Sequence, residues 1–79
     1  MMTVKMIVVG INASGEADFW PCIVTCTEEQ YDEGKHIEYA EDEATERDYE
    51  DCMAADEDEP LFAPFLNTVN WETVTRLTL

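Results

Sequence analysis

Negative charge is concentrated in one part of this chain, and this limits how the chain can fold. Residues 28–59 hold 16 of the 19 acidic residues against two bases, Lys35 and Arg47, and so carry 14 net negative charges. The flanking segments hold three acids and two bases and are rich in apolar and β-branched residues. Because like charges repel in a compact state, we expect the acidic side chains to face solvent. We therefore expect a nearly neutral β framework that supports an acidic middle segment.

The length of 79 residues is enough for one small domain and too short for two. Apolar residues make up 46% of the chain, which is enough for a modest core. We therefore expect one acidic domain over residues 1–79.

The N-terminal flank has the composition of a β-hairpin. Residues 3–11 are rich in Val, Ile and Met and are apolar on both faces, which predicts a central strand. Turn residues at positions 12–15 lead into a second, antiparallel strand over residues 19–25. Within it, Pro21 has no N–H for a ladder hydrogen bond, which predicts an edge position or a bulge.

The C-terminal half contributes further β structure. Alternating residues over 69–79 predict a half-exposed strand, and the apolar segment 52–55 is a candidate fourth strand. Residues 61–66 are expected to form an apolar connector, with one helical turn at most, that packs over the core.

The middle segment has helical patterning. Thr27 and Gln30 form a capping-box pattern, and Gly34 is a natural stop for the short helix that follows Thr27. A second helix is expected over residues 35–47. A single helix that continues through Gly34 is the alternative. The fold class is therefore α+β: a small antiparallel sheet of three or four strands, with one or two short acidic helices packed on one face.

Cofactor sites have little support in the sequence. Cys22 and Cys26 lie four residues apart on a predicted strand, about 13 Å at strand rise, so both cannot ligate one zinc ion. We expect them and Cys52 to be buried thiols. Residues 56–60 lack the glycine and the length of a calcium loop. We expect no cofactor and no metal.

Several functional classes are excluded by composition and motifs. His36 is the only histidine, and no nucleophile, phosphate-loop, dinucleotide or metalloprotease motif occurs, so we expect no enzyme. A net charge of -15 repels nucleic acid and anionic membranes. The longest apolar run, residues 6–11, is too short for a membrane span. An odd number of cysteines indicates a reduced, cytoplasmic protein. Its partner should be basic.

The charge exceeds what solubility requires. A small domain stays soluble with a net charge of about 2 to 8, and acidic pairs at i,i+4 destabilise a helix. We therefore interpret the acids as a surface that binds a partner by imitating a phosphate backbone. The predicted partner-binding residues are Glu28, Asp32, Glu38, Asp42, Glu46, Asp56, Glu57 and Asp58.

With Tyr interleaved among the acids of residues 28–59, and Trp elsewhere in a short chain, this sequence resembles the phage-encoded DNA mimics. Those proteins include anti-CRISPR proteins, restriction inhibitors and uracil-DNA glycosylase inhibitors, and the size favours the anti-CRISPR group. The resemblance implies a monomeric inhibitor of a CRISPR surveillance complex or another basic DNA-binding protein, in the cytoplasm of an infected bacterial host. The alternative is an acidic adaptor or regulatory module that binds a basic host or phage protein without mimicking DNA.

Overall fold

The computed structural model describes all 79 residues as an α+β fold. The elements in chain order are β1 (Met2–Ile11), β2 (Ala17–Cys26), α1 (Glu28–Asp32), α2 (Lys35–Glu46), β3 (Glu50–Asp56), a 3₁₀ turn (Ala63–Phe65) and β4 (Thr75–Thr78). The four strands form one sheet in the order β3-β1-β2-β4. The predicted fold class is confirmed, and β1 is a central strand as predicted.

The sheet is mixed rather than purely antiparallel. Strand β1 pairs antiparallel with both β2 and β3, but β4 runs parallel to β2. The antiparallel prediction is therefore wrong for the β2–β4 pair. Because β3 and β4 run in the same direction, the chain must cross the sheet between them, and parallel strands need a crossover of a dozen or more residues. Residues 57–74 form this crossover.

The last strand is shorter than predicted. The expected strand over residues 69–79 is wrong before Thr75, because Asn70 builds a local turn instead. The Asn70 side chain accepts a hydrogen bond from the Glu72 N–H at 3.1 Å, and the Asn70 carbonyl accepts from the Thr73 N–H at 3.2 Å. Such local bonds compete with a strand ladder.

The shortness of β4 also explains how β2 tolerates proline. Strand β4 pairs only with Cys22–Thr25, so Pro21 has no partner strand on that side. The predicted edge position of Pro21 is therefore correct locally, within a strand that is otherwise internal. Two residues before Pro21, the Phe19 N–H donates to the Asp18 carboxylate at 2.8 Å instead of to a strand.

Two helices cover one face of the sheet, and Gly34 separates them. Gly34 has a φ of +75°, a left-handed conformation that disfavours other residues, so the chain turns there instead of continuing as one helix. Helix α2 buries His36, Ala40 and Ala44 against the sheet. This helix-side core is the larger of two, and it contains Val4, Met6, Val8, Cys22, Val24, Cys26, Ala40, Ala44, Ala54 and Leu77.

The opposite face of the sheet, called the second face below, is covered by the crossover. Strand alternation places Ile7 and Ile23 on this face, and both are buried. Phe62 is 1% exposed and stacks on Trp71 with ring centroids 5.5 Å apart. The prediction that residues 61–66 pack over the core with one helical turn is confirmed.

Candidate functional site

Helix α2 presents a stripe of acids to solvent. Glu38, Asp42 and Glu46 are exposed, while Ala40 and Ala44 on the opposite side are buried. At 1.5 Å per residue, successive members of the stripe lie about 6 Å apart along the helix axis. None of the three contacts a basic side chain. All three therefore lie at the surface, as a partner-binding role requires.

Helix α1 adds two exposed acids and is held by its N-terminal cap. The Gln30 N–H donates to the Thr27 hydroxyl at 3.1 Å, and the Thr27 N–H donates to the Gln30 side chain at 2.8 Å, so the predicted capping box is present. Glu28 lies in the first turn, where the helix dipole favours a carboxylate. Glu28 and Asp32 are both exposed and have no basic partner.

The turn after β3 is attached to helix α1. The Tyr31 hydroxyl donates to the Asp58 carboxylate at 2.7 Å, and this hydrogen bond raises the pKa of Tyr31. Glu57 and Asp58 are exposed. The contact therefore places these two acids beside α1. We call the seven exposed residues the acidic surface: Glu28, Asp32, Glu38, Asp42, Glu46, Glu57 and Asp58.

Asp56 does not belong to the acidic surface, although it was predicted there. Its side chain is only 9% exposed, and His36 Nε2 donates to its carboxylate at 3.0 Å. The ring of Tyr31 stacks on His36 with centroids 4.5 Å apart. The Asp56 carboxylate also accepts from the Asp58 N–H at 3.0 Å. Asp56 therefore links α2, β3 and the following turn instead of presenting a charge to a partner.

The alternation of side chains along a strand predicts that Asp56 faces the helices, and so indicates this buried pair. Ala54 and Asp56 lie two residues apart on β3 and so share the helix-facing side of the sheet. His36 lies one helical turn before Ala40, on the buried side of α2. The four consecutive acids at positions 56–59 suggest a turn by composition, but β3 extends through Asp56.

Two other acids of α2 serve the fold rather than the surface. Glu41 accepts a hydrogen bond from the Ala54 N–H at 3.3 Å and so occupies a donor on the outer edge of β3. Glu43 lies 3.9 Å from Arg47, whose guanidinium lies over the Trp20 ring at 4.6 Å. A hydrogen bond with Glu46 raises the pKa of Glu43.

Most of the negative charge is uncompensated. The ion pairs are Lys35–Glu33 at 3.8 Å and Arg47–Glu43 at 3.9 Å, and His36 forms a buried hydrogen bond with Asp56. The molecule is 36 Å long and carries a net charge of -15, or one charge per about 2.4 Å of its long axis. Duplex DNA carries one charge per about 1.7 Å of its axis. The two linear charge densities are therefore of the same order.

The bases are distributed unevenly between the two sides of the sheet. Lys5 pairs with Ile23 across β1 and β2, and Ile23 pairs with Arg76 on β4, so both bases lie on the second face. The Lys5 ammonium lies 5.5 Å from the centre of the Trp71 ring. Only Lys35 and Arg47 remain among the acids on the helix side.

The prediction of buried thiols is confirmed for Cys22 and Cys26 and is wrong for Cys52, which is only partly buried. Cys22 and Cys26 are fully buried, Cys52 is partly buried, and none forms a disulfide. Burial raises the pKa of Cys22 to about 12, so its thiol stays protonated near neutral pH. No three His, Cys, Asp or Glu side chains come together as they would around a metal ion.

Comparison of the chain with protein-family models, with curated proteins and with solved structures finds no match. None of the helices has the length and apolar character that crossing a membrane would require. The geometry and charge of the acidic surface are therefore the basis for a functional proposal.

Proposed function

We propose that this protein is a stoichiometric inhibitor that places its acidic surface in the cationic DNA-binding groove of a nucleic-acid-binding protein. One observation carries the proposal: seven exposed carboxylates without basic partners lie on two joined helices and the turn attached to them. The compositional resemblance to phage DNA mimics favours a CRISPR surveillance complex as the target. The action would be occupation of the groove, with no chemical step.

The fixed position of the carboxylates supports this role. The capping box holds the start of α1, Gly34 sets the turn into α2, and the Tyr31–Asp58 hydrogen bond holds the acidic turn. A surface that is ordered before binding loses less conformational entropy in the complex. Its long-range field also accelerates encounter with a basic groove, to rates as high as about 10⁸–10⁹ M⁻¹s⁻¹ at low salt.

Competition with DNA tests the proposal. The protein is immobilised, a bacterial lysate is applied at low salt, and bound proteins are eluted with short duplex DNA, with sodium chloride of equal ionic strength as the control. We expect the DNA to release a nucleic-acid-binding protein that the salt leaves bound. In a mobility-shift assay, that protein should bind either DNA or this chain. A stable ternary complex with DNA would contradict mimicry and would favour the acidic adaptor.

Charge reversal tests whether the position of the charges matters. The double variant E38K/D42K changes the net charge by four on the acidic surface, and E16K/E72K makes the same change at exposed positions outside it. We expect E38K/D42K to weaken binding to the partner and slow association far more than E16K/E72K. Circular dichroism should show that both variants stay folded. Equal losses would mean that only net charge matters, and the mimicry proposal would then be wrong.

A further inference from the structure

The crossover leaves part of the second face uncovered. Strand pairing places Phe19, Val9 and Met53 in one row across β2, β1 and β3. The neighbouring row contains Ile7, which is buried on the side that Phe62 covers. Phe65, at the end of the 3₁₀ turn, packs against Phe19 with ring centroids 4.6 Å apart. Beyond this contact, the crossover no longer covers the second face.

A groove of about 510 Å³ occupies this uncovered region. Its apolar lining includes Val9, Ile11, Phe19, Met53 and Phe65. Met53 is 60% exposed and Phe19 is 37% exposed, although the register places both beside Val9. Adjacent exposed apolar side chains of this size are typical of binding surfaces, and methionine adapts its shape to different partners.

A bulge in β3 shapes one end of the groove. The pairing of β1 with β3 shifts between Val9 and Ile11, and Asp51 has a φ of +52°. A Cβ atom on Gly10 would lie 2.8 Å from the Glu50 carbonyl oxygen, so only glycine permits this approach. The bulge brings Asp51 into the lining of the groove.

The charged groups of the groove are both negative. Asp18 and Asp51 line it, no Lys, Arg or His does, and neither aspartate forms an ion pair. Hydrogen bonds from the Phe19 N–H at 2.8 Å and the Asn12 side chain at 3.4 Å hold the Asp18 carboxylate in place. An apolar floor between two carboxylates is complementary to an apolar side chain next to a basic one. A second copy of this chain would add aspartates and a further -15 net charge.

We propose that this groove binds a segment of a partner protein in which an apolar side chain is flanked by Lys or Arg. The groove lies on the opposite side of the sheet from α1 and α2, so this proposal does not depend on the function of the acidic surface. It assigns the chain a second interaction surface, which recognises a short sequence rather than a large basic groove.

Methyl NMR of the methionines tests the proposal, because the full chain has only four: Met1, Met2, Met6 and Met53. The probe is the amidated peptide Lys-Leu-Lys-Phe-Lys, added to protein labelled with ¹³C at the methionine methyl groups. We expect a saturable shift of the Met53 signal and no shift of the buried Met6 signal. The peptide Lys-Ser-Lys-Ser-Lys has the same charge and should leave Met53 unchanged.

Charge variants separate the groove from the general attraction of an acidic protein. Two rim ion pairs together change affinity by about five-fold at typical surface strengths. We therefore expect D18N/D51N to raise the Kd of the Leu/Phe peptide about five-fold, while E16Q/E72Q, with the same change in net charge, leaves it within two-fold.

Three outcomes would overturn the proposal. The first is an unmoved Met53 signal. The second is an equal response of Met53 to the serine peptide, or equal weakening by both variant pairs, because attraction would then be non-specific. The third is a Met53 signal that depends on protein concentration without peptide, because a second copy of the chain would then occupy the groove. None of these outcomes bears on DNA competition, so the two proposals fail separately.

Discussion

The buried His36–Asp56 pair gives the most stringent test of how this small fold is held together. Both side chains are over 90% buried, and they join α2 to the end of β3. His36→Phe keeps the ring that stacks on Tyr31, but it leaves the Asp56 carboxylate buried without its histidine partner. Leaving a buried, charged acceptor without its hydrogen-bond partner costs about 3 kcal/mol. We expect H36F to lose that much free energy of unfolding.

The reverse change should cost less. Asp56→Leu removes the carboxylate but leaves a buried imidazole, whose Nδ1 already has no hydrogen-bond partner. An unpaired buried polar group costs about 1–3 kcal/mol. In the double variant H36F/D56L no buried charge remains, and the main loss is the Asp58 N–H bond to Asp56. One such bond contributes about 1 kcal/mol. The double variant should therefore be more stable than H36F alone.

Urea unfolding followed by circular dichroism measures all four members of this double-mutant cycle. A coupling free energy of about 2 kcal/mol or more is expected, with the m-value unchanged. If H36F/D56L loses the sum of the two single losses, the side chains do not act as a pair, and the role assigned to Asp56 is wrong. Asp56→Asn is the control for shape, because it keeps the side-chain volume and one acceptor oxygen while it removes the charge.

Three further predictions concern charge, thiols and pH. The Tm should be higher in 0.5 M than in 0.02 M salt, because the screening length falls from about 20 Å to about 4 Å; a flat or falling Tm in calorimetry would show that the repulsion is already relieved locally. Ellman's reagent should modify Cys52 first in the native protein, and Cys22 and Cys26 only after unfolding; rapid modification of all three without unfolding would contradict their burial. The hydrogen bond to Asp58 raises the pKa of Tyr31 in the folded protein. The stability contributed by this hydrogen bond is therefore fully present below about pH 10, the pKa of an unfolded tyrosine, and is lost as the pH rises from there through the folded pKa. Urea unfolding from about pH 8 to pH 11 should show a steeper loss of stability for the wild type than for Y31F; parallel losses would exclude this contribution.

The local features of the fold could be predicted from neighbouring residues. The capping box at Thr27 and Gln30, the stop at Gly34 and the central position of β1 all follow from short patterns, and all are present. The exposed stripe of α2 follows from the helical period, because a carboxylate opposite a pair of alanines has no route into the core. The residues that determine these features lie within a few positions of each other along the chain.

Other features were decided by contacts between distant residues. Residues 69–79 alternate as a strand does, but Asn70 forms local hydrogen bonds with the backbone, and only residues 75–78 pair with β2. The direction of β4 depends on the crossover, whose path is set by the burial of Phe62 over the second face. The groove beside Phe19 exists because the crossover covers the second face only as far as Phe65. No local sequence pattern predicts where that coverage stops.

The sequence by itself determined the acidity of this protein, the placement of most acids in its middle segment and the side of each helix that faces solvent. Charge and helical periodicity depend on residues that are close together in the chain, so both can be predicted from composition and spacing. The tertiary structure decided which acids remain available to a partner. Asp56 belongs to the same acidic run as Glu57 and Asp58, yet β3 carries it under His36 while the next two residues turn out to solvent. The Asp56 carboxylate lies in the core because His36, 20 residues earlier in the chain, forms a hydrogen bond with it there. Only the folded chain brings these two residues together.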